Sequence, residues 1–112
     1  MEKTILLIDD VRDRKEAGAT HIARTYDVAL NLLKTRDWDV VSLDFDLGTG
    51  KSGMDIIDWF SDHLDRIPED LVVHSTHPKA REMRQKVSAL MAMRRRMIQK
   101  NQETKELVEQ EA

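Results

Sequence analysis

The chain contains no cysteine. That excludes disulfides, thiol catalysis and thiolate metal sites, and it fits a reducing compartment. Glycine and proline are also scarce, with four of the first and two of the second. Three of the glycines fall within residues 48–53 and the prolines stand at 68 and 78, so the strongest breaks in regular structure are confined to a few places. No apolar stretch approaches the roughly 18 residues that a membrane span needs, and the Met-Glu-Lys-Thr start leads straight into a short apolar run. These absences point to a cytoplasmic chain with no membrane association. The net charge of −3 gives no general reason to expect nucleic-acid binding, and no DNA partner is expected.

What is present suits a single globular domain. The chain has 112 residues, 40% hydrophobic and 35% charged, enough for one modest core. The organising stretch is 40–48, Val-Val-Ser-Leu-Asp-Phe-Asp-Leu-Gly. An apolar run ends in two carboxylates, Asp44 and Asp46, and then in a glycine loop. Short apolar runs bounded by turn residues read as strands buried on both faces, although periodicity alone does not exclude a buried helix. On a strand, Asp44 and Asp46 point to the same side. Acids at the carboxyl end of a parallel strand lie where open α/β sheets bind ligands.

The first apolar run, Thr4 to Ile8, ends the same way, in Asp9 and Asp10. One such acid would be an ordinary helix N-cap. Paired acids at the ends of two strands favour a shared site. Val11 to Gly18 is densely charged and predicts a loop or short helix, from which Arg12 and Arg14 could reach an anion. His21-Ile22-Ala23 predicts a short strand. Tyr26, Ala29, Leu30 and Leu33 then give an amphipathic helix capped near Thr25 or Asp27, and Trp38 reads as a packing residue. Gly-Lys-Ser at 50–52 resembles the end of a phosphate-loop motif, but the first glycine of that motif would have to stand where Phe45 is. A flexible loop, with Lys51 as a weak phosphate contact, describes it better.

Met54 to Leu64 predicts a helix with Ile56, Ile57, Phe60 and Leu64 inward and Ser52 as its N-cap. Leu71-Val72-Val73 is the last strand, ending in His74-Ser75-Thr76-His77. Taken singly, His74 is most simply a core histidine and His77 a turn residue. Together with the hydroxyls, at the same edge as the acids, they bring a shared site level with that reading. From Lys79 one long helix runs to residue 100 or beyond, with Met83, Val87, Leu90, Met91, Met97 and Ile98 as an irregular stripe. Arg94-Arg95-Arg96 is a basic cluster without aromatic platforms, a weak RNA signal. The expected organisation is an α/β domain over 1–84 and a long C-terminal helix over 79–112, available for a homodimer or a protein partner.

The chemistry of the strand ends can be read directly. Asp9, Asp10, Asp44 and Asp46 offer hard oxygen donors for Mg²⁺ or Mn²⁺. His74 and His77 suit general acid and base roles near neutral pH. Arg81, one turn into the last helix, could clamp a phosphate together with that helix's N-terminus.

These segments carry a resemblance. A first strand ending in two acids, a third ending in an acid and a fourth ending in a hydroxyl residue resemble the response-regulator receiver fold. The chain is more closely similar to the divergent cyclic-phosphate-processing receiver domains, over about residues 4–84. The matching segments are Ile8-Asp9-Asp10, Arg24-Thr25-Tyr26-Asp27, Ser42-Leu43-Asp44-Phe45-Asp46-Leu47-Gly48 and the element from His74-Ser75-Thr76-His77-Pro78 to Arg81 and Met83. The resemblance implies a small, open, mainly parallel sheet with flanking helices, of truncated receiver or flavodoxin-like kind. It implies metal binding by Asp9 and Asp10, a reactive Asp44, and phosphate contact by Ser75 or Thr76. The implied substrates are cyclic nucleotides or cyclic-phosphate RNA ends. Phe45 stands where the family pattern has histidine, His77 where it has asparagine and Ala80 where it has glycine. No fifth strand with a phosphate-gripping lysine is visible, which weighs against a conventional phosphoacceptor. Two expectations remain: a metal-dependent cyclic phosphoesterase, and an inactive receiver-like interaction module that uses its C-terminal helix.

Overall fold

A computed structural model describes residues 3–10, 18–48 and 50–111. Arg12 and Arg14 lie outside the described residues. Four short strands, β1 (Ile5–Ile8), β2 (His21–Ala23), β3 (Val40–Leu43) and β4 (Asp70–Val73), form one sheet in the order β2-β1-β3-β4. Every pairing is parallel. Parallel strands buried on both faces need no hydrophobic alternation, which is why Ile-Leu-Leu-Ile and Val-Val-Ser-Leu read as near-continuous apolar runs. The small mainly parallel α/β sheet implied by the resemblance is the one observed.

Among the described residues three α-helices connect and cover the strands: α1 (Tyr26–Thr35), α2 (Gly53–Ser61) and α3 (Ala80–Glu111). Thr25 caps α1, its hydroxyl accepting the Val28 N–H. Ser52 caps α2 in a reciprocal box: its hydroxyl accepts from Met54 N–H at 3.2 Å, and Asp55 accepts the Ser52 N–H at 2.8 Å. Asp55 therefore serves the cap. Because the box satisfies donors at both ends, Ser52→Ala should cost about 1 kcal/mol of stability, read as a shifted midpoint in urea unfolding. The helix expected over 54–64 stops at Ser61 and gives way to a 3-10 turn at Leu64–Arg66. Arg66 holds that turn in place by donating to the Leu33 and Arg36 carbonyls at the end of α1.

The core lies between the sheet and the helices, where Leu6, Ile8, Val41 and Leu43 meet Leu33, Ile56, Phe60 and Met83. α3 contributes Ala80, Met83, Val87 and Leu90 to this burial, so the first half of the long helix is part of the domain. Its 32 residues span about 48 Å, which sets the 53 Å long axis of the molecule. Among the described residues no helix is long and apolar enough to cross a membrane.

Candidate functional site

The strand register creates the site. Leu7 pairs with Ser42, and Ser42 with Val72. Side chains alternate along each strand, so two residues further on, Asp9, Asp44 and His74 emerge on one face of adjacent chains. They do so at the carboxyl edge, where the order turns from β2-β1 to β3-β4. That reversal is the crevice at which doubly wound sheets bind ligands. The ladder continues past the strand ends: Asp44 N–H donates to the Ile8 carbonyl and His74 N–H to the Leu43 carbonyl, each at 3.0 Å. These bonds hold the three side chains in register.

One donor atom each from Asp9, Asp44 and His74 lies within 4.8 Å of the others. Asp9 is only 3% exposed. His74 Nε2 stands 2.9 Å from Asp9 Oδ2, and its Nδ1 stands 2.5 Å from Ser42 Oγ. A carboxylate only accepts, so Nε2 carries the proton. In the neutral ring Nδ1 then accepts from the Ser42 hydroxyl. Asp44 Oδ1 accepts the Phe45 N–H at 2.8 Å, which fixes the rotation of that carboxylate.

The three residues line an open cleft of 1210 Å³ together with Asp10, Asp46, Lys51 and the 75–77 segment. Asp10 and Asp46 line the cleft but stand outside the convergent set. β3 ends at Leu43, and Asp46 makes an antiparallel bridge with Ser52. Ser75 is turned to its own loop, its hydroxyl accepting the His77 N–H at 3.1 Å and its carbonyl accepting from Arg84 at 3.3 Å. Thr76 is exposed at the cleft. His77 Nδ1 accepts the Lys79 N–H at 3.0 Å, which leaves Nε2 as its protonated nitrogen. Arg81 is exposed in the first turn of α3 and is not among the residues lining the cleft. Lys51 Nζ sits 5.0 Å from the Tyr26 ring centroid, a cation–π contact.

Two carboxylates at this spacing fit a hard divalent cation, with Asp9 and Asp44 as its anchors. With both ring nitrogens engaged, His74 supports Asp9 beside the cation. Ser42 was not anticipated as a site residue. Its signal was present, since it is the one polar side chain in Val-Val-Ser-Leu, but only the register shows that it backs His74.

The sequence matches the family model of the cyclic-phosphate processing Receiver domain over residues 4–89, most of the chain. The chain belongs to that family. Its match ends at the last buried turn of α3, which ties the cyclic-phosphate-processing receiver domain to the part of the helix that is packed. No curated protein matches the sequence. Among solved structures, a fusion protein carrying a yeast Spc42 trimeric coiled-coil segment is 20% identical, with a TM-score of 0.57 over 99% of this chain and 92% of that one. A signal receiver domain from Vibrio parahaemolyticus is 14% identical, with a TM-score of 0.49 over 85% of this chain and 94% of that one. A response regulator from Burkholderia pseudomallei is 16% identical, with a TM-score of 0.45 over 79% and 74%. At such identities the likeness concerns the fold alone. In this receiver domain Phe45 and His77 stack at the cleft with ring centroids 3.9 Å apart and planes 17° apart. Among the described residues β4 is followed directly by α3, without a fifth strand.

Proposed function

We propose that this receiver domain is a metal-dependent phosphoesterase acting on cyclic phosphates of nucleotides or RNA ends. The observation that carries the proposal is the convergence of Asp9, Asp44 and His74 at the topological switch point, in a chain of the cyclic-phosphate-processing family. Mg²⁺ or Mn²⁺ bound there supplies Lewis-acid polarisation of a phosphoryl oxygen and activation of water. Asp9 and Asp44 hold that charge and, without it, repel one another. His74 keeps a proton at Nε2 against Asp9. If the ring becomes doubly protonated, the Ser42 hydroxyl can rotate from donor to acceptor, so both charge states of the ring keep two partners. His77, with its proton at Nε2, is placed at the same cleft to donate to a phosphoryl or leaving oxygen. The Phe45–His77 stack limits the orientations available to that ring.

The test is a titration of Mg²⁺ and Mn²⁺ into the protein and into Asp44→Asn, followed by heat release and melting temperature, with turnover of cyclic nucleotides and 2′,3′-cyclic RNA ends measured alongside. Metal that binds only the native state raises its melting temperature; about 100-fold excess over Kd adds about 2.7 kcal/mol. The expected result is saturable binding and metal-dependent turnover, both lost in Asp44→Asn. Unchanged turnover in that variant would sink the proposal. A second reading, an interaction module without turnover, is favoured by one observation: the distal half of α3 leaves the domain with Met93 and Leu107 exposed.

A further inference from the structure

The side chains of Asp9, Asp10, Asp44 and Asp46 all line the cleft. A divalent cation offsets half of their charge. A phosphate diester is itself an anion, so it enters against what remains. Among the described residues Lys51 is the one lysine or arginine that lines this cleft.

The Lys51 side chain is exposed, and its Nζ rests 5.0 Å from the Tyr26 ring centroid. Among the described residues it forms no ion pair, although four acids share its cleft. A cation on the face of a ring near solvent is held weakly, so its transfer to an anion meets little resistance. The main chain beneath it is fixed. Lys51 N–H donates to the Gly48 carbonyl at 3.2 Å, in a turn where Gly48 and Gly50 take φ of 66° and 79°, the region that glycine enters without strain. Ser52, next in the chain, is held by its box with Asp55 and by the bridge to Asp46. The ring is fixed too. Tyr26 opens α1 directly after the Thr25 cap and packs partly against the core.

We propose that Lys51 is the cation that grips the phosphoryl group at this cleft, with Tyr26 as its positioning residue. The inference rests on the phosphoesterase reading and adds how the charge of the substrate is met. Hydrolysis adds water to phosphorus and breaks one ester P–O bond. One water proton goes to the leaving oxygen and the other to solvent, so a singly charged diester becomes a doubly charged monoester. Negative charge gathers on the free phosphoryl oxygens as water adds. An ammonium beside them therefore stabilises the transition state more than the bound diester. Lysine does this as a point charge, without the fixed fork of an arginine.

Calorimetric titration of inorganic phosphate at saturating Mn²⁺, with steady-state turnover of a 2′,3′-cyclic nucleotide, tests it. The samples are the unsubstituted chain, Lys51→Met, Lys51→Arg and Asp44→Asn, and a thermal melt checks that each is folded. Lys51→Met should bind Mn²⁺ at least as tightly as the unsubstituted chain and phosphate about tenfold more weakly. Its kcat should fall about 10²-fold, with a smaller change in KM. Lys51→Arg keeps the charge and should recover most of both losses. A methionine variant that binds phosphate and turns over like the unsubstituted chain overturns the proposal. If Asp44→Asn has lost turnover in the same series, the phosphoesterase reading stands without it. A chain with no turnover, whose phosphate binding still weakens tenfold in Lys51→Met, overturns that reading and keeps Lys51 as the anion contact. A chain that takes up no phosphate overturns the proposal.

Discussion

His74→Gln is expected to lower turnover of a cyclic phosphate by about 10²–10⁴-fold, the range typical of losing a positioned acid–base group. Glutamine is chosen because its amide nitrogen can occupy the place of Nε2 and keep the donation to Asp9, whose side chain is almost wholly buried. What it cannot do is take up and return a proton. The comparison variant His74→Ala also removes Asp9's donor, leaving a buried carboxylate with one partner fewer at a cost of about 1–3 kcal/mol. Steady-state kinetics and thermal melts on both variants separate the roles. If the ring acts as acid or base, both lose turnover and only alanine loses much stability. A glutamine variant that turns over within a few-fold of the unsubstituted chain would leave His74 as a brace for Asp9 and no more.

Gly53→Ala should be the most damaging single methyl in the chain. Gly53 is buried at the start of α2, where its N–H donates to the Phe45 carbonyl at 2.8 Å. A Cβ built on it would overlap the Asp44 carbonyl oxygen and meet the terminal methyl of Met83. The methionine can swing aside, but the carbonyl belongs to the backbone at the end of β3. Relief therefore requires α2 and the strand end to separate. The expected loss is about 3 kcal/mol, a large part of the total for a small domain, and a fall in melting temperature of more than about 10 °C. Because the displaced backbone is that of Asp44, metal affinity should fall with stability. Denaturant unfolding and a metal titration on the same sample test both. An alanine variant that melts like the unsubstituted chain would mean that this contact is not tight in solution.

The strands, the three helices and the capping residues Thr25 and Ser52 were legible because each has a local cause. Apolar runs next to turn residues make strands, and hydroxyls ahead of apolar periodicity make caps. The convergence of Asp9, Asp44 and His74 was half legible. Three strand ends could be seen to carry polar groups, and a parallel order would gather them at one edge. Which of the acids meet could not be read, because Asp44 and Asp46 are equivalent by alternation until β3 is seen to end at Leu43. Ser42 and the Phe45–His77 stack were out of reach for the same reason, since both join residues 32 positions apart.

By itself, the sequence determined the parallel α/β class, the gathering of polar strand ends at the carboxyl edge, the family, and a long C-terminal helix. The family follows from the four matching segments in order, and the rest from local composition and period, which the chain carries in one dimension. Tertiary structure decided which carboxylates share a site, which serine stands behind the histidine, and where α3 stops being core and starts to protrude. Those outcomes depend on strand register and helix crossing. Both are set by packing across the sheet rather than by neighbours along the chain.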